Sequence, residues 1–253
     1  MIPDPRDFDL PANYTYIEHE WGSLFFKHIG KMKRNDAKKI CSHHGAHLPV
    51  PRFPDENVFY QSHFGNESLW LGLSDVEDRN DKRIYKSDHD DAILHFIIKR
   101  PGGDLSGSKY AWTDQNFTLN GKSTETPLTG VKLSNAGQWQ MVDENETELD
   151  AICVYNIIPD GCKKCRNQNF CRYTDRSRSE VECICPVVQE GENCERDLCE
   201  GLQCINGGQC YLNDETRKAE CICPYPFHGK NCVSSESYIS HRSYFLTVNN
   251  VLR

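Results

Sequence analysis

Five carboxylic acids stand within eight residues after the middle of the chain. The stretch reads "GQWQMVDENETELDAIC", from Gly137 to Cys153, and its acids are Asp143, Glu144, Glu146, Glu148 and Asp150. Clustered carboxylates could hold a hard cation or work as a catalytic pair. Their spacing fits neither one face of a strand nor one stripe of a helix, and the Asn145 sequon would place a glycan beside them. We predict a solvated loop, with a weak calcium contact as the alternative.

Two other groups of residues have the chemistry of metal ligands. His43 and His47 have i, i+4 spacing, with His44 between them, but no Glu follows the first histidine as in the His-Glu-x-x-His pattern of zinc hydrolases. The stretch "SDHDDA", residues 87–92, offers carboxylates that could bind a cation, at Asp88, Asp90 and Asp91. We predict surface histidines at a helix end and an exposed acidic loop.

The composition excludes several classes of protein. A hydrophobic fraction of 38% and a charged fraction of 26% are typical of globular domains, and a formal net charge of -8 argues against nucleic acid as a partner. No run approaches the roughly 18 apolar residues that span a bilayer. The N-terminus, "MIPDPRDFDLPANY", lacks the basic and apolar regions of a signal peptide. We expect neither a transmembrane segment nor a signal peptide in this chain.

The cysteines indicate an oxidising compartment, since 13 of the 14 lie between Cys153 and Cys232. Asn-x-Ser/Thr sequons agree with a secretory route, and they begin at Asn13, Asn66, Asn116 and Asn145. We therefore expect an extracellular glycoprotein, either secreted or the ectodomain of a cell-surface protein.

Two blocks of cysteines repeat one motif. The first, Cys162 to Cys194, reads C-x2-C-x5-C-x11-C-x-C-x8-C, and the second, Cys199 to Cys232, reads C-x4-C-x5-C-x10-C-x-C-x8-C. Each block has few apolar residues, so we expect disulfides to stabilise it by roughly 2–4 kcal/mol each. Spacing alone does not choose among the pairings. Zinc is the alternative, but six cysteines exceed the ligand set of a tetrahedral site.

Both blocks resemble the EGF-like domain family. In the second block, "CINGGQC" has the Gly-Gly turn before the third cysteine, and "CICPYPFHGKNC" has the aromatic residue and the glycine of the final loop. The resemblance implies that the first cysteine pairs with the third, the second with the fourth and the fifth with the sixth. The implied pairs are Cys162 with Cys171, Cys165 with Cys183, Cys185 with Cys194, Cys199 with Cys210, Cys204 with Cys221, and Cys223 with Cys232. The preceding "IPDGC" and "ERDLC" lack the Asp-x-Asp-Glu set of calcium-binding members.

Basic residues concentrate in the first block. They are Lys163, Lys164, Arg166, Arg172, Arg176 and Arg178. We predict the solvated face of a small domain, with a surface for sulfated polysaccharide as the alternative.

The region before residue 156 has the pattern of a mixed domain. "KRNDAKKICSHHGAHL", residues 33–48, predicts a helix that Asn35 or Asp36 caps and Gly45 ends. "PDENVFYQSHF", residues 54–64, predicts a second helix with a buried side that includes Val58, Phe59 and Phe64. "LWLGLSD" predicts a strand, and "VKLSNAGQWQMV" predicts two strands across an Asn-Ala-Gly turn.

This order of elements resembles the C-type lectin-like domain over residues 20–155. "WLGLSD" is the most specific piece, "AICVY" matches the end strand, and "AWTD" matches the strand that opens the long loop. The resemblance implies an α+β fold with two helices, small antiparallel sheets and a long loop region. It also implies a disulfide between the first and last cysteines of the domain, Cys41 and Cys153.

The chain departs from the sugar-binding members of that family. Those members hold calcium with Glu-Pro-Asn or Gln-Pro-Asp in the long loop and with Trp-Asn-Asp in the next strand. Here Trp139, Gln140 and Met141 stand in place of Trp-Asn-Asp, and residues 114–128 contain neither loop motif. Met141 offers only a soft thioether. We therefore expect no calcium and no other cofactor.

These observations predict a lectin-like domain at 15–156, EGF-like modules at 160–195 and 197–233, and a tail at 234–253. The order is similar to that of selectins and the thrombomodulin group, which implies adhesion or recognition at the cell surface or in the matrix. We expect a protein or glycoprotein partner bound through residues 75–128, and a carbohydrate ligand is the alternative. The ligand-binding candidates are Tyr110, Trp112, Asp114 and Gln115. A hydrolase is a remote alternative, because the sequence shows no nucleophile motif and no paired carboxylates.

Overall fold

The structure of the protein is a computed structural model. It describes residues 3–19, 22–65, 67–79, 82–90, 93–95, 98–99, 112–113, 130–145, 147–174, 177–185, 188–213, 216, 218–224 and 226–235. The chain forms two compact units, Met1–Glu195 and Arg196–Arg253.

The first unit is α+β, as predicted. Its helices are α1, Arg34–His43, and α2, Pro54–Phe64. Its strands before residue 158 are β1 Thr15–His19, β2 Gly22–Met32, β3 Leu69–Arg79, β4 Lys82–Ser87, β5 Ile93–His95, β6 Ile98–Lys99, β7 Trp112–Thr113, β8 Gly130–Leu133, β9 Trp139–Val142 and β10 Leu149–Ile157. Short strands follow at Cys171–Tyr173, Val181–Cys183 and Gln189–Glu190. Among the described residues, no helix has the length and apolar character needed to cross a bilayer.

Within the described residues, eight strands form one sheet. Six of them follow the order β1-β2-β10-β3-β4-β5, while β8 pairs with β3 and β9 pairs with β8. Strand β10 comes last of these strands in the sequence, but in the sheet it lies between β2 and β3. It pairs with β2 in antiparallel register, where Cys153 lies opposite Lys27, and it meets β3 in parallel, where Asp150 lies opposite Leu69. A disulfide joins Cys153 to Cys41 of α1, which is the pair that the resemblance implied.

Strand β3 separates two parts of the core by simple alternation. Leu69, Leu71 and Leu73 join the cluster packed against α2, whereas Trp70 joins the cluster packed against α1. Gly72 interrupts the run because a Cβ atom there would lie 2.9 Å from the backbone oxygen of Leu48. The Trp-Leu-Gly-Leu motif therefore has two buried faces and one close backbone approach.

Both predicted helices are confirmed, but two details of them are wrong. The N-cap of α1 is Lys33, without a side-chain cap hydrogen bond, instead of Asn35 or Asp36. On α2, Val58 is 58% exposed, while Asn57 and Tyr60 are buried. The buried stripe includes Asn57 because its side chain bonds to the carbonyl of Gly137 at 2.9 Å and to Trp139 Nε1 at 2.7 Å.

The cysteines of the two blocks are joined in the order that the resemblance implied. In the first cysteine-rich segment, Cys162–Cys194, the pairs are Cys162–Cys171, Cys165–Cys183 and Cys185–Cys194. In the second cysteine-rich segment, Cys199–Cys232, they are Cys199–Cys210, Cys204–Cys221 and Cys223–Cys232. Every cysteine in the described part of the chain is thus oxidised.

The first cysteine-rich segment packs against the domain that precedes it, within the first unit. Arg172 lies over the ring of Phe53 at 5.1 Å and donates to Asp55 at 2.7 Å. In return, Arg52 lies over the ring of Phe170 at 5.4 Å. The prediction of a solvated basic face is wrong for Arg172, which is 5% exposed, because its guanidinium sits in this contact.

Arg178 forms a second part of the same contact. Its guanidinium donates to the carbonyls of His19 and Gly22 at 3.0 and 2.9 Å and pairs with Glu18 at 3.2 Å. These bonds tie the first cysteine-rich segment to the β1–β2 end of the sheet.

Replacement of Arg172 by alanine should lower the free energy of unfolding of the first unit by about 1.5–3 kcal/mol, the range for hydrogen bonds to charged groups. Urea unfolding followed by tryptophan fluorescence measures this loss. Lys164→Ala, which removes an exposed charge from the same segment, is the control and should cause little change. Equal stabilities of the two variants would contradict the packing role of Arg172.

In its described residues, the second unit has two disulfide-linked antiparallel strand pairs and little apolar core. Its strands are Arg196–Asp197, Gln209–Asn213, Lys218–Ile222, Phe227–His228 and Ser234–Ser235. In the turn before the strand Gln209–Asn213, Asn206 and Gly207 have positive φ angles of 54° and 79°. At Gly208, a Cβ atom would lie 2.5 Å from the Cys232 sulfur. The Asn-Gly-Gly sequence is therefore required by backbone conformation and by close packing.

Candidate functional site

The four predicted ligand-binding residues fall in the least described part of the chain. Tyr110, Asp114 and Gln115 lie outside the described residues. Trp112 is placed by its backbone alone, in strand β7, which pairs in parallel with β6. The role of all four stays a prediction.

Two of the four predicted glycosylation sites can be located. Asn13 and Asn145 are exposed, each in a turn, as a glycan acceptor must be. Asn66 and Asn116 lie outside the described residues.

Trp139, Gln140 and Met141 occupy strand β9, which continues from β8 through a turn at Gly137. Their side chains alternate in burial: Trp139 and Met141 are in the core at 1% and 6% exposure, and Gln140 is intermediate. Met141 thus points into the same cluster as Trp139. At the position where a sugar-binding member supplies a cation ligand, this chain supplies a packed thioether.

A buried arginine organises the acids around that strand. Arg34, in the first turn of α1, is 2% exposed. Its guanidinium donates to the carbonyls of Leu71 and Leu73 at 3.2 and 2.7 Å, and it pairs with Glu144 at 2.6 Å and with Asp88. Four partners satisfy a charge that would otherwise be costly to bury.

This network changes the interpretation of the five-acid stretch. The prediction of a solvated loop is wrong for Glu144, because its carboxylate is committed to Arg34. Asp143 accepts from the backbone of Asn145 at 2.9 Å, which fits a turn, and Glu146 lies outside the described residues. At Gly130 of β8, a Cβ atom would lie 3.0 Å from side-chain atoms of Glu144 and of Trp70, so a larger residue there would force this network to shift.

The prediction of an exposed acidic loop at residues 87–92 is also wrong for the two acids that the structure describes. Asp88 pairs with Arg34 and with Lys38 at 3.3 Å, and Asp90 pairs with buried Arg52 at 3.0 Å. Asp91 lies outside the described residues. These carboxylates neutralise buried guanidinium groups.

The described residues do not fit the calcium of sugar-binding members. A hard cation needs several convergent oxygen atoms, whereas Met141 offers sulfur and Glu144 and Asp88 are bound to Arg34. Among the residues that the structure describes, no three His, Cys, Asp or Glu side chains form a cluster that could hold a metal ion.

Met141→Ala should destabilise the first unit by about 2–4 kcal/mol, because it leaves a cavity in the core. We expect no change in any response to calcium, since the residue is packed and is not a ligand. Differential scanning calorimetry with and without millimolar calcium tests both parts, with Gln140→Ala on the same strand as the control. A calcium-dependent difference between the Met141 variant and the parent would refute the placement.

Of the three predicted surface histidines, His44 and His47 are not simple surface residues, contrary to the prediction. The His44 ring bonds to the Tyr14 hydroxyl at 3.2 Å, and the His47 ring stacks on His89 with 4.0 Å between centroids. Burial lowers the pKa of His47 to about 3 and also lowers the pKa of His89. Both stacked imidazoles are therefore neutral at physiological pH. His43 remains exposed at the end of α1.

A cavity of about 550 Å³ lies beside these histidines in the first unit. Its walls come from the second half of α1, from residues 46–48 and from the turn at 88–89, and Gly72 contributes to the lining. Sequence reasoning missed this cavity, because its parts come from three separated segments. It also missed Arg34, although Arg34, Ala37 and Cys41 lie at helical spacing on one face, which was a usable signal.

The profile of the family described as "Lectin C-type domain" matches residues 30–186. The human C-type lectin domain family 10 member A is 37% identical over 67 residues, 26% of this chain and 20% of that protein. Lectin BRA-3 of Megabalanus rosa is 24% identical over 157 residues, 61% of this chain and 83% of that protein.

Among solved structures, the carbohydrate-recognition domain of the human scavenger receptor C-type lectin is 21% identical to this chain and has a TM-score of 0.38. The match covers 58% of this chain and 98% of that domain's chain. The chain spans only a fifth of the length of the first human relative. The family match covers more than half of the chain and includes the helices, β3, β8, β9 and β10. The chain therefore belongs to the C-type lectin domain family and has a recognition or binding role.

Proposed function

We propose that this chain is an extracellular recognition protein whose lectin domain binds a protein or glycoprotein partner without calcium. The observation that carries the proposal is the burial of Met141 among core residues, where a sugar-binding member supplies an oxygen ligand. The commitment of Glu144 to Arg34 supports it further. The binding surface is the insertion and long loop, residues 75–128, with Tyr110, Trp112, Asp114 and Gln115 as contact residues. In this proposal the chain uses no cofactor and is no enzyme.

The two cysteine-rich segments are, in the same proposal, EGF-like modules that follow a lectin-like domain of residues 15–156. The disulfide pairing supports this assignment. Such modules space and orient a recognition domain, which fits a secreted protein or the ectodomain of a cell-surface protein.

Carbohydrate binding is the second candidate function. Relatives of the chain carry the name lectin, and Lectin BRA-3 of Megabalanus rosa is matched over 83% of its length. Aromatic side chains such as Tyr110 and Trp112 could stack on a sugar ring without calcium.

A glycan array probed with the full chain in calcium and again in EDTA tests the proposal against that alternative. Silence in both conditions, with binding to a set of cell-surface and matrix ectodomains, supports a protein partner. Equal glycan signals in both would support calcium-free carbohydrate binding, and a signal abolished by EDTA would refute calcium independence.

A loop variant then locates the surface. Tyr110→Ala, Trp112→Ala, Asp114→Asn and Gln115→Ala, combined in one chain, should abolish binding to the partner found. Val58→Ala, at an exposed position of α2, is the control and should leave binding intact. Retained binding in the loop variant would place the surface elsewhere.

A further inference from the structure

Arg52 joins two parts of the first unit that are distant in sequence. Its Nη2 donates to Asp90 Oδ2 at 3.0 Å, in the turn that follows β4. Its guanidinium also lies over the ring of Phe170 at 5.4 Å, in the first cysteine-rich segment. Arg52 is 4% exposed, and both contacts are stronger in such a buried site than they would be at the surface. One side chain therefore connects the cysteine-rich segment to the Asp90 turn, residues 88–90.

Arg52 is fixed both at its backbone and at its guanidinium. The backbone nitrogen donates to Glu56 Oε2 of α2 at 2.6 Å, and Nη1 donates to the carbonyl of Val50 at 3.3 Å. Because a guanidinium is planar, hydrogen bonds in its plane and a ring against its face together restrict its orientation. We expect loss of the ring to leave the bond from Arg52 to Asp90 less restrained.

The ring of Phe170 is positioned by the first cysteine-rich segment. Phe170 precedes Cys171, which is bonded to Cys162, and its carbonyl accepts from the Ile184 amide at 2.7 Å. The ring packs in the same core cluster as α2 and β3. A shift of the segment would therefore move the ring that covers Arg52.

The Asp90 turn is fastened at both of its ends. The Asp88 amide donates to the carbonyl of Gly72 in β3 at 2.9 Å, and Asp90 pairs with Arg52. A turn that is held at two ends opens locally more often when either contact weakens. Hydrogen exchange of the Asp88 amide therefore reports on the contact with Arg52.

A second contact between an arginine and a ring involves the same segment but reaches a different element. Arg178 lies over the ring of Tyr173 at 5.5 Å and donates to the carbonyls of His19 and Gly22, at the β1–β2 end of the sheet. Tyr173 is thus a matched comparison for Phe170, since both are aromatic residues of one segment that contact an arginine.

We infer that the first cysteine-rich segment holds the Asp90 turn in place through Phe170 and Arg52. Arg52 is then a positioning residue for the recognition surface, because the turn belongs to residues 75–128. This role in recognition rests on the proposed function, whereas the coupling itself does not. A contiguous set of contacts is a reason to expect coupling, and its demonstration requires a measured interaction between the two ends.

Hydrogen exchange of the full chain without any partner, read at single amides by NMR, measures the coupling. The reporter is the Asp88 amide, and the reference is the His47 amide, which donates to the carbonyl of Val154 in β10 at 3.0 Å. Arg52→Met should raise the exchange rate at Asp88 by about tenfold or more, as expected for a lost hydrogen bond between charged groups. Phe170→Leu should raise it by about threefold or more, through loss of the contact between cation and ring. Equal rises at Asp88 and at His47 would show general destabilisation and overturn the inference.

Tyr173→Leu is the matched control and should change the exchange rate at Asp88 by less than about twofold. In the Arg52→Met background, Phe170→Leu should add no further rise, because Arg52 is the link between the two ends. Equal effects of Phe170→Leu and Tyr173→Leu, or a rise that persists without Arg52, overturn the inference. The comparison of the two leucine variants is decisive by itself if Arg52→Met does not fold.

The same variants separate this inference from the proposed function. Phe170→Leu should weaken binding to the partner found by about threefold, and Tyr173→Leu should leave it unchanged. Faster exchange at Asp88 with unchanged affinity supports the coupling and contradicts the placement of the recognition surface at residues 75–128. Unchanged exchange at Asp88 in Phe170→Leu overturns the coupling, whatever the affinity.

Discussion

Arg34→Met is expected to lower the free energy of unfolding of the first compact unit by about 3–5 kcal/mol, the usual result of breaking a buried ion pair. Methionine has a similar length and is apolar, so the loss comes mainly from the partners that remain. Asp88 and Glu144 would each lose a guanidinium partner, and the carbonyls of Leu71 and Leu73 would each lose a donor. The free energy of unfolding of a small domain is about 5–15 kcal/mol in total, so the substitution should remove a large part of it.

Urea unfolding followed by tryptophan fluorescence is the measurement. All four tryptophans of the sequence precede residue 140, so their emission reports on the first unit alone. Lys39→Met removes a positive charge from the exposed face of the same helix and should change stability by no more than about 1 kcal/mol.

A double-mutant cycle assigns the effect to the ion pair. Glu144→Gln combined with Arg34→Met should cost less than the sum of the two single changes, because each removes the group that the other leaves unpaired. Additive losses would show that Arg34 and Glu144 do not stabilise each other.

Local patterns were sufficient to predict much of the fold. The start of α2 follows from its Pro and early acids, and the short apolar run around Trp70 predicts a strand, which the structure shows buried on both faces. The two strands around the Gly137 turn are also confirmed, since the positive φ of 78° there is a local requirement. Each of these features depends on residues that are close in sequence.

The candidate site was harder to predict because its partners are distant in sequence. Asp88 and Glu144 lie 54 and 110 residues after Arg34, and in isolation each belongs to a polar stretch of ordinary loop composition. Nothing in either stretch reveals that a buried guanidinium faces it. The error at Val58 has the same origin, because only the fold shows that Asn57 has buried partners that make it the inward residue.

Removal of the disulfide between α1 and β10, by Cys41→Ala with Cys153→Ala, should abolish stable folding of the first unit up to the end of β10. The two cysteines are 112 residues apart, and a cross-link across about 100 residues is worth about 4–5 kcal/mol through the entropy of the unfolded chain. Both side chains are fully buried, so packing is lost as well. We chose alanine because it leaves no buried hydroxyl or free thiol.

The second unit should stay folded in that variant, because its three disulfides close separations of only 9 to 17 residues and all lie within Cys199–Cys232. Limited proteolysis with mass mapping should therefore cut residues 3–157 throughout. It should leave protected both a fragment that begins near residue 196 and the first cysteine-rich segment, whose three disulfides close separations of 9 to 18 residues. Cys223→Ala with Cys232→Ala is the reciprocal control: it should expose the second unit and leave tryptophan emission unchanged. Native tryptophan emission in the Cys41 and Cys153 variant would instead mean that the buried core of β3, β9 and β10 is stable without its cross-link.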